Sequence, residues 1–367
     1  MERHNFEGNA GQLYGNPTLN MDAAIPSGKI LTIPENSVLT IGSGKTLTNN
    51  GTIGAYGEIS GTLTNHGTIM VGPDGSVPSG SGGSVIPFPY DETYLDASGT
   101  PQNIPTTGTR YLLPEMSVLT GGWYVVRVDV TLPERLTVTG DVHLILMDGC
   151  KLDAQEGITV NESDSLTIYA QSNDEAQMGV LTATSSDLND AGIGGSSGAG
   201  GTITINGGKI TAVGKGGGYY GSAGIGGGDK GAGGTITING GNVTAVGGEH
   251  GAGIGGGDGG AGGTIQINGG TVTATGGNDG GAGIGGGRNG AAGTFAATGD
   301  VFIIASSISD NGEDEKANWS GVIFEGDDGQ VYGAPTLKTV KTIPSGKRLE
   351  IPAGKTLTID NNVTLTN

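Results

Sequence analysis

Hydrophobic and polar residues alternate in a phrase that the chain repeats. Thr264-Ile265-Gln266-Ile267-Asn268 is followed by Thr271-Val272-Thr273-Ala274-Thr275, and the same pair of alternating pieces recurs earlier around Ile203 and Ile205 and around Ile236 and Ile238. A period of two built from β-branched residues predicts strands, whereas helical repeats would need leucine and alanine at a period near 3.6. A third, shorter piece precedes each pair. Ile193, Ile225, Ile254 and Ile284 each sit in an Ala-Gly-Ile-Gly-Gly frame, at spacings of 32, 29 and 30 residues. Thr202, Thr235, Thr264 and Thr294 keep step at 33, 29 and 30. Three strands per turn of about 30 residues, with Gly-Gly pairs where the corners need positive φ, predict an all-β, parallel β-helix. A right hand is expected, because the hexapeptide period of left-handed β-helices is missing.

In such a fold like residues stack on like. Ile203 and Ile205 should lie beneath Ile236 and Ile238, and these beneath Ile265 and Ile267, as the core. Asn206, Asn239 and Asn268 should form an amide ladder at one corner, ending where the fourth copy has Thr298. Strand-like pieces with less glycine continue upstream from Gly121, and Val301-Phe302-Ile303-Ile304 is the expected last turn.

A longer repeat frames this region. Residues 6–49 and 324–367 align without a gap at an offset of 318, with 25 of 44 positions identical. A match of that strength predicts a tandem module of about 318 residues, the chain holding one unit and the start of the next. Between Lys29 and Val71 further strand-like pieces recur at short intervals, and the run around VPSGSGG has linker composition. The expected organisation is a smaller β-rich N-terminal module over 1–78, a linker at 79–90, the β-helix over 91–315, and the beginning of the next module at 316–367.

Composition changes this picture little. The 77 glycines and 14 prolines would suggest a disordered polymer if the period were absent. Net charge is −19, with no basic stripe, which argues against nucleic acid and against a polyanionic substrate. Cys150 is the sole cysteine, so no internal disulfide forms and a packed small residue is expected. Met1-Glu2-Arg3-His4 does not read as a signal peptide and no apolar run approaches a membrane span, so an extracellular module would have its targeting and anchoring segments elsewhere. The four histidines, His4, His66, His143 and His250, show no ligand spacing, and no calcium-binding loop is legible. No cofactor is expected beyond adventitious calcium on an acidic surface.

Tyr94-Leu95-Asp96-Ala97-Ser98-Gly99, Gly121-Gly122-Trp123-Tyr124-Val125-Val126, Gly140 to Leu146, Leu166 to Gln171 and the AGIGGG and TITINGG turns resemble a repeat of large surface proteins of Gram-positive gut-type anaerobes. Those proteins are often labelled carbohydrate-binding. The resemblance covers about 90–300 and implies a secreted, cell-surface β-helix with a glycan-binding or adhesive role, but brings no binding residues to carry over.

Candidate chemistry comes instead from the corners. The longest interval holds its excess in Lys215-Gly-Gly-Gly-Tyr219-Tyr220-Gly, and tyrosine faces stack on sugar C–H surfaces while the hydroxyl adds a hydrogen bond. Equivalent corners carry Glu249-His250 and Asn278-Asp279, so a glycan-binding set of Tyr219, Tyr220, Glu249, His250, Asn278 and Asp279 is expected, His250 being read as a solvent-exposed corner residue. The enzymatic alternative, a polysaccharide hydrolase or lyase, would need clustered carboxylates. Asp229 and Asp258 occupy equivalent corners, but Arg288 follows in the next copy and should neutralise Asp258, so no catalytic residue is assigned. Threonine ranks through Thr202, Thr235 and Thr264 raise a remote ice-binding alternative, interrupted at Gln266. The expected partners are a polysaccharide or host glycan and neighbouring modules of the same chain.

Overall fold

A computed structural model describes residues 10–88, 92–114, 116–309 and 316–367. Residues 6–9 of the first repeat copy and the expected boundary at 310–315 lie outside the described residues. The chain divides into two units, one built mainly on residues 1–93 and one mainly on 126–367.

The first unit is a small three-faced parallel solenoid. Ala10–Gln12, Ile30–Ile33, Thr52–Ala55, Thr68–Val71 and Ser84–Ile86 form one face, Thr18–Leu19, Val38–Ile41 and Glu58–Ser60 the second, and Ala23–Ile25, Leu47–Asn49 and Leu63–Asn65 the third. Each strand is short because a residue pair or triplet suffices to turn the corner, and alternation sends Ile33, Ile53 and Ile69 fully inward. Asn49 and Asn65 are buried in the same interior, and Asn49 Nδ2 donates to Asn65 Oδ1 at 2.7 Å, which meets the requirement that buried amides be paired. Ser84–Ile86 pairs with Thr68–Met70, so the stretch with linker composition carries a strand of this unit; two small, polar neighbours had masked it.

The second unit contains the long helix. Its first face stacks Ser165–Ala170, Thr202–Ile205, Thr235–Ile238, Thr264–Ile267 and Thr294–Ala297, all parallel. Its second runs through Lys151–Ala154, Val180–Thr184, Lys209–Val213, Asn242–Val246, Thr271–Thr275 and Phe302–Ala305. Its third is a thin column of Ile158–Thr159, Ile193–Gly194, Ile225–Gly226, Ile254–Gly255 and Ile284–Gly285. Ile203 lies against Ile236 and Ile236 against Ile265, all buried, as the alternation requires. The expected last turn is not the last: Gly321–Glu325 adds a parallel strand to Phe302–Ala305.

Glycine dominates because backbone packs on backbone at the corners. A Cβ on Gly251 would sit 2.0 Å from the Ser222 carbonyl oxygen, and Gly226, at φ +134, would place one 2.1 Å from that of Gly255. Across the turns runs a half-buried arginine that sequence did not single out. Arg135 Nη1 donates to Glu156 O at 2.6 Å, Nη2 to Ala191 O at 2.8 Å, and Nε lies 3.4 Å from Asp190 Oδ2.

After Gly321–Glu325 the chain reverses into the antiparallel strand Asp328–Tyr332 and begins a second small solenoid. Its pairings Asp328↔Arg348, Thr336↔Thr358 and Lys341↔Leu365 match Ala10↔Ile30, Thr18↔Thr40 and Ala23↔Leu47 at the same offset as the sequence repeat. The long repeat is therefore a structural one, strand for strand and register for register.

Candidate functional site

The excess residues of the longest interval leave the helix as a hairpin. Gly216–Gly217 pairs antiparallel with Tyr220–Gly221, and Gly218, at φ +69, makes the turn. Gly216 and Gly221 lie flat on the backbone of Glu249 and His250 in the next turn, where a Cβ would approach within 2.1 and 2.5 Å. Flatness at the base forces the side chains at the tip outward. Tyr219 is 83% and Tyr220 42% exposed.

His250 holds this hairpin in place, and here the sequence reading is corrected. It is 1% exposed, not a solvent-facing corner residue, because the hairpin inserted one turn earlier covers it. Its Nε2 lies 2.9 Å from Gly218 O and its Nδ1 3.2 Å from Asp279 O. Both partners are carbonyls, so only an imidazolium can donate to both. The hydrogen bond to Gly218 O raises the His250 pKa above its ordinary value, against the opposing effect of burial. Asp279 Oδ2, 3.4 Å from Nδ1, supplies a counter-charge.

The remaining expected residues fall around the same edge. Glu249, Asn278 and Asp279 are exposed. Asp279 accepts from Arg288 Nη1 at 3.2 Å, while Arg288 Nε and Nη2 grip Asp258 at 3.1 and 3.0 Å in a bidentate fork. Asp229 is buried, accepts from the Gly221 amide at 3.3 Å and pairs with Lys230 at 3.4 Å. Lys230 Nζ in turn stands 5.8 Å from the Tyr220 ring centroid, a cation–π distance. Lys230 belongs to the site and was missed as a binding residue, although its place beside Asp229 was visible. The two corner aspartates are both engaged with cations. Among the described residues, no group of three or more His, Cys, Asp or Glu side chains could hold a metal ion.

A second polar cluster joins residues far apart in sequence. His143 Nδ1 lies 3.1 Å from the Tyr169 hydroxyl and its Nε2 3.2 Å from Asp141 Oδ2, while the Tyr94 and Tyr169 rings meet edge to face at 4.7 Å. Burial, aided by Tyr94 and Asp141, pushes the Tyr169 hydroxyl up to about 12. So raised, the phenol keeps its proton at neutral pH and can donate it to His143 Nδ1. Trp123 and Tyr124 divide, Tyr124 being buried and Trp123 half-buried. Cys150 is half-buried in the turn before Lys151–Ala154.

A family model described as a beta helix repeat matches residues 203–229, 236–258 and 265–288, three successive turns of the long helix. No curated protein and no solved structure matches the chain. No helix of the described residues is long and apolar enough to cross a membrane.

Proposed function

We propose that this chain is a non-catalytic, extracellular β-helical module of a tandem-repeat bacterial surface protein, and that it contacts a polysaccharide or host glycan through the tyrosine hairpin. The observation that carries the reading is the pair of exposed rings, Tyr219 and Tyr220, on a hairpin whose turn is clamped by a buried histidine. Exposed aromatics on a fixed scaffold bind at low entropic cost, since little has to be ordered on contact. Lys230, Asn278 and Glu249 add hydrogen-bonding groups along the same edge.

One further feature supports an array: the repeated module keeps one register in both copies. The enzymatic alternative gains no support from Asp229 and Asp258, whose carboxylates are held by Lys230 and Arg288. Ice binding gains little: the outward rank Thr202, Thr235, Thr264 and Thr294 is in register, but the neighbouring column runs Thr204, Thr237, Gln266, Ala296.

A glycan array read with the intact chain and with the double substitution Tyr219→Ala, Tyr220→Ala tests this. The expected outcome is binding by the parent and at least a tenfold loss in the variant. Equal binding by both would remove the hairpin from the site, and no binding by either would leave a spacer. Product release from plant or mucin polysaccharides would overturn the non-catalytic reading.

A further inference from the structure

The asparagine ladder lines a cleft that the tyrosine corner does not involve. The column forms as expected: Asn239 Nδ2 donates to Asn206 Oδ1 and Asn268 Nδ2 to Asn239 Oδ1, each at 2.8 Å. Thr298 is the fourth rung and does not end it, because its hydroxyl donates to Asn268 Oδ1 at 2.7 Å. Each asparagine rung is followed by two glycines, so nothing rises from the floor beside the amides; Thr298 is followed by Gly299 and Asp300. Along this floor lies a cleft of about 480 Å³, whose walls include Ser98, Asn173 and Thr339.

The hydrogen-bond accounting of the floor is incomplete from within the protein. A carboxamide has two N–H groups, and Asn239 and Asn268 each spend one on the preceding rung. Asn206, at one end, is only 7% exposed, and its Oδ1 accepts from Asn239 Nδ2. A polar side chain so enclosed and lining a cleft is poised to donate into it. The charges at the rim cancel: Lys338 pairs with Asp300 at 2.7 Å and Lys341 with Glu175 at 3.2 Å.

We propose that the cleft is a second binding site, for a neutral, hydroxyl-rich oligosaccharide lying along the helix axis in line with the asparagine column. Amides repeating at the strand spacing of about 4.8 Å present donors and acceptors in a single file, which suits a regular chain of hydroxyls. An extended peptide advances about 3.3 Å per residue and falls out of step. An anionic glycan meets at this rim two lysines, Lys338 and Lys341, that already pair with carboxylates, in a chain of net charge −19. The site does not depend on the tyrosine hairpin and is separable from it.

Calorimetry on the full chain, titrated with cellohexaose, xylohexaose, mannohexaose and hexagalacturonate, tests the proposal. At least one neutral hexaose should bind. Thr339→Trp, which plugs the cleft from an exposed rim position, should weaken it at least tenfold, Asn173→Ala should weaken it measurably, and Tyr219→Ala with Tyr220→Ala should leave it unchanged. Circular dichroism identical to the parent keeps each variant interpretable. Absence of binding by all three neutral hexaoses, preference for hexagalacturonate, indifference to Thr339→Trp, or loss on removing the tyrosines would each overturn it. Failure of the hairpin on the glycan array leaves this result standing, since the two sets of variants do not overlap.

Discussion

His250 carries a pH dependence that the geometry dictates. Its two ring nitrogens face carbonyl oxygens of Gly218 and Asp279, with Asp279 and Asp258 carboxylates and the Arg288 guanidinium as the charged neighbours. The folded pKa is raised, so the clamp is complete below about 6.5, the ordinary histidine value, and is lost as pH rises through the higher folded value. Above that point one ring nitrogen turns a lone pair toward a carbonyl. The expected consequence is a hairpin that loosens on the alkaline side, seen as faster chymotryptic nicking after Tyr219 and Tyr220 between about pH 6 and 8.5, corrected with a reference peptide. His250→Gln, which does not titrate, should flatten that profile; a parent profile already flat would remove the clamp. Residues such as this, and Arg135, were not legible in advance. The burial of His250 depends on a hairpin that inserts from a neighbouring turn, and the bonds of Arg135 on carbonyls of later turns, and no local periodicity reports either.

At the scale of the element, the corner is the unit that decides stability. From Ile193 to Ala297 the strands are two to five residues long, so a turn is held as much by how closely corners stack as by its apolar side chains. Gly251→Ala and Gly259→Ala make the comparison. The first drives a Cβ to 2.0 Å from Ser222 O; the second, at φ +72, meets nothing within 4 Å. Overpacking predicts a loss of about 2–3 kcal/mol for Gly251→Ala, and backbone strain alone about 1 kcal/mol for Gly259→Ala. Urea unfolding of both measures the difference, and equal losses would mean that the corners have room to spread. The glycine tracts were readable as corners from their period, but not which glycine is compressed, since that depends on the carbonyl facing it from the turn below.

At the scale of the molecule, charge opposes a fold made of closely stacked turns. A net charge of −19 on 367 residues, with most carboxylates of the described residues exposed, makes self-repulsion a standing cost. Raising sodium chloride from 0.01 to 0.1 M shortens the screening length from about 30 to about 10 Å. The melting temperature should therefore rise by a few degrees across that range, in a scan at neutral pH. A fall would show that surface pairs such as Lys338–Asp300 outweigh the repulsion. The first unit has an apolar interior that includes Ile33, Ile53 and Ile69, and the long helix one built on its isoleucine columns.

The sequence by itself determined the parallel β-helix, its turn length, the isoleucine columns, the asparagine ladder and the doubled module. All of these follow from identical residues recurring at one period, and stacking at that period makes each residue its own neighbour. Tertiary structure alone decided which polar groups are hidden and which are offered: His250 beneath the hairpin, Arg135 across the turns, Asn206 in the cleft, and Ser84–Ile86 as a strand within linker-like sequence. These depend on where irregular insertions come to rest, and insertions break the very repetition that makes the rest of the chain readable.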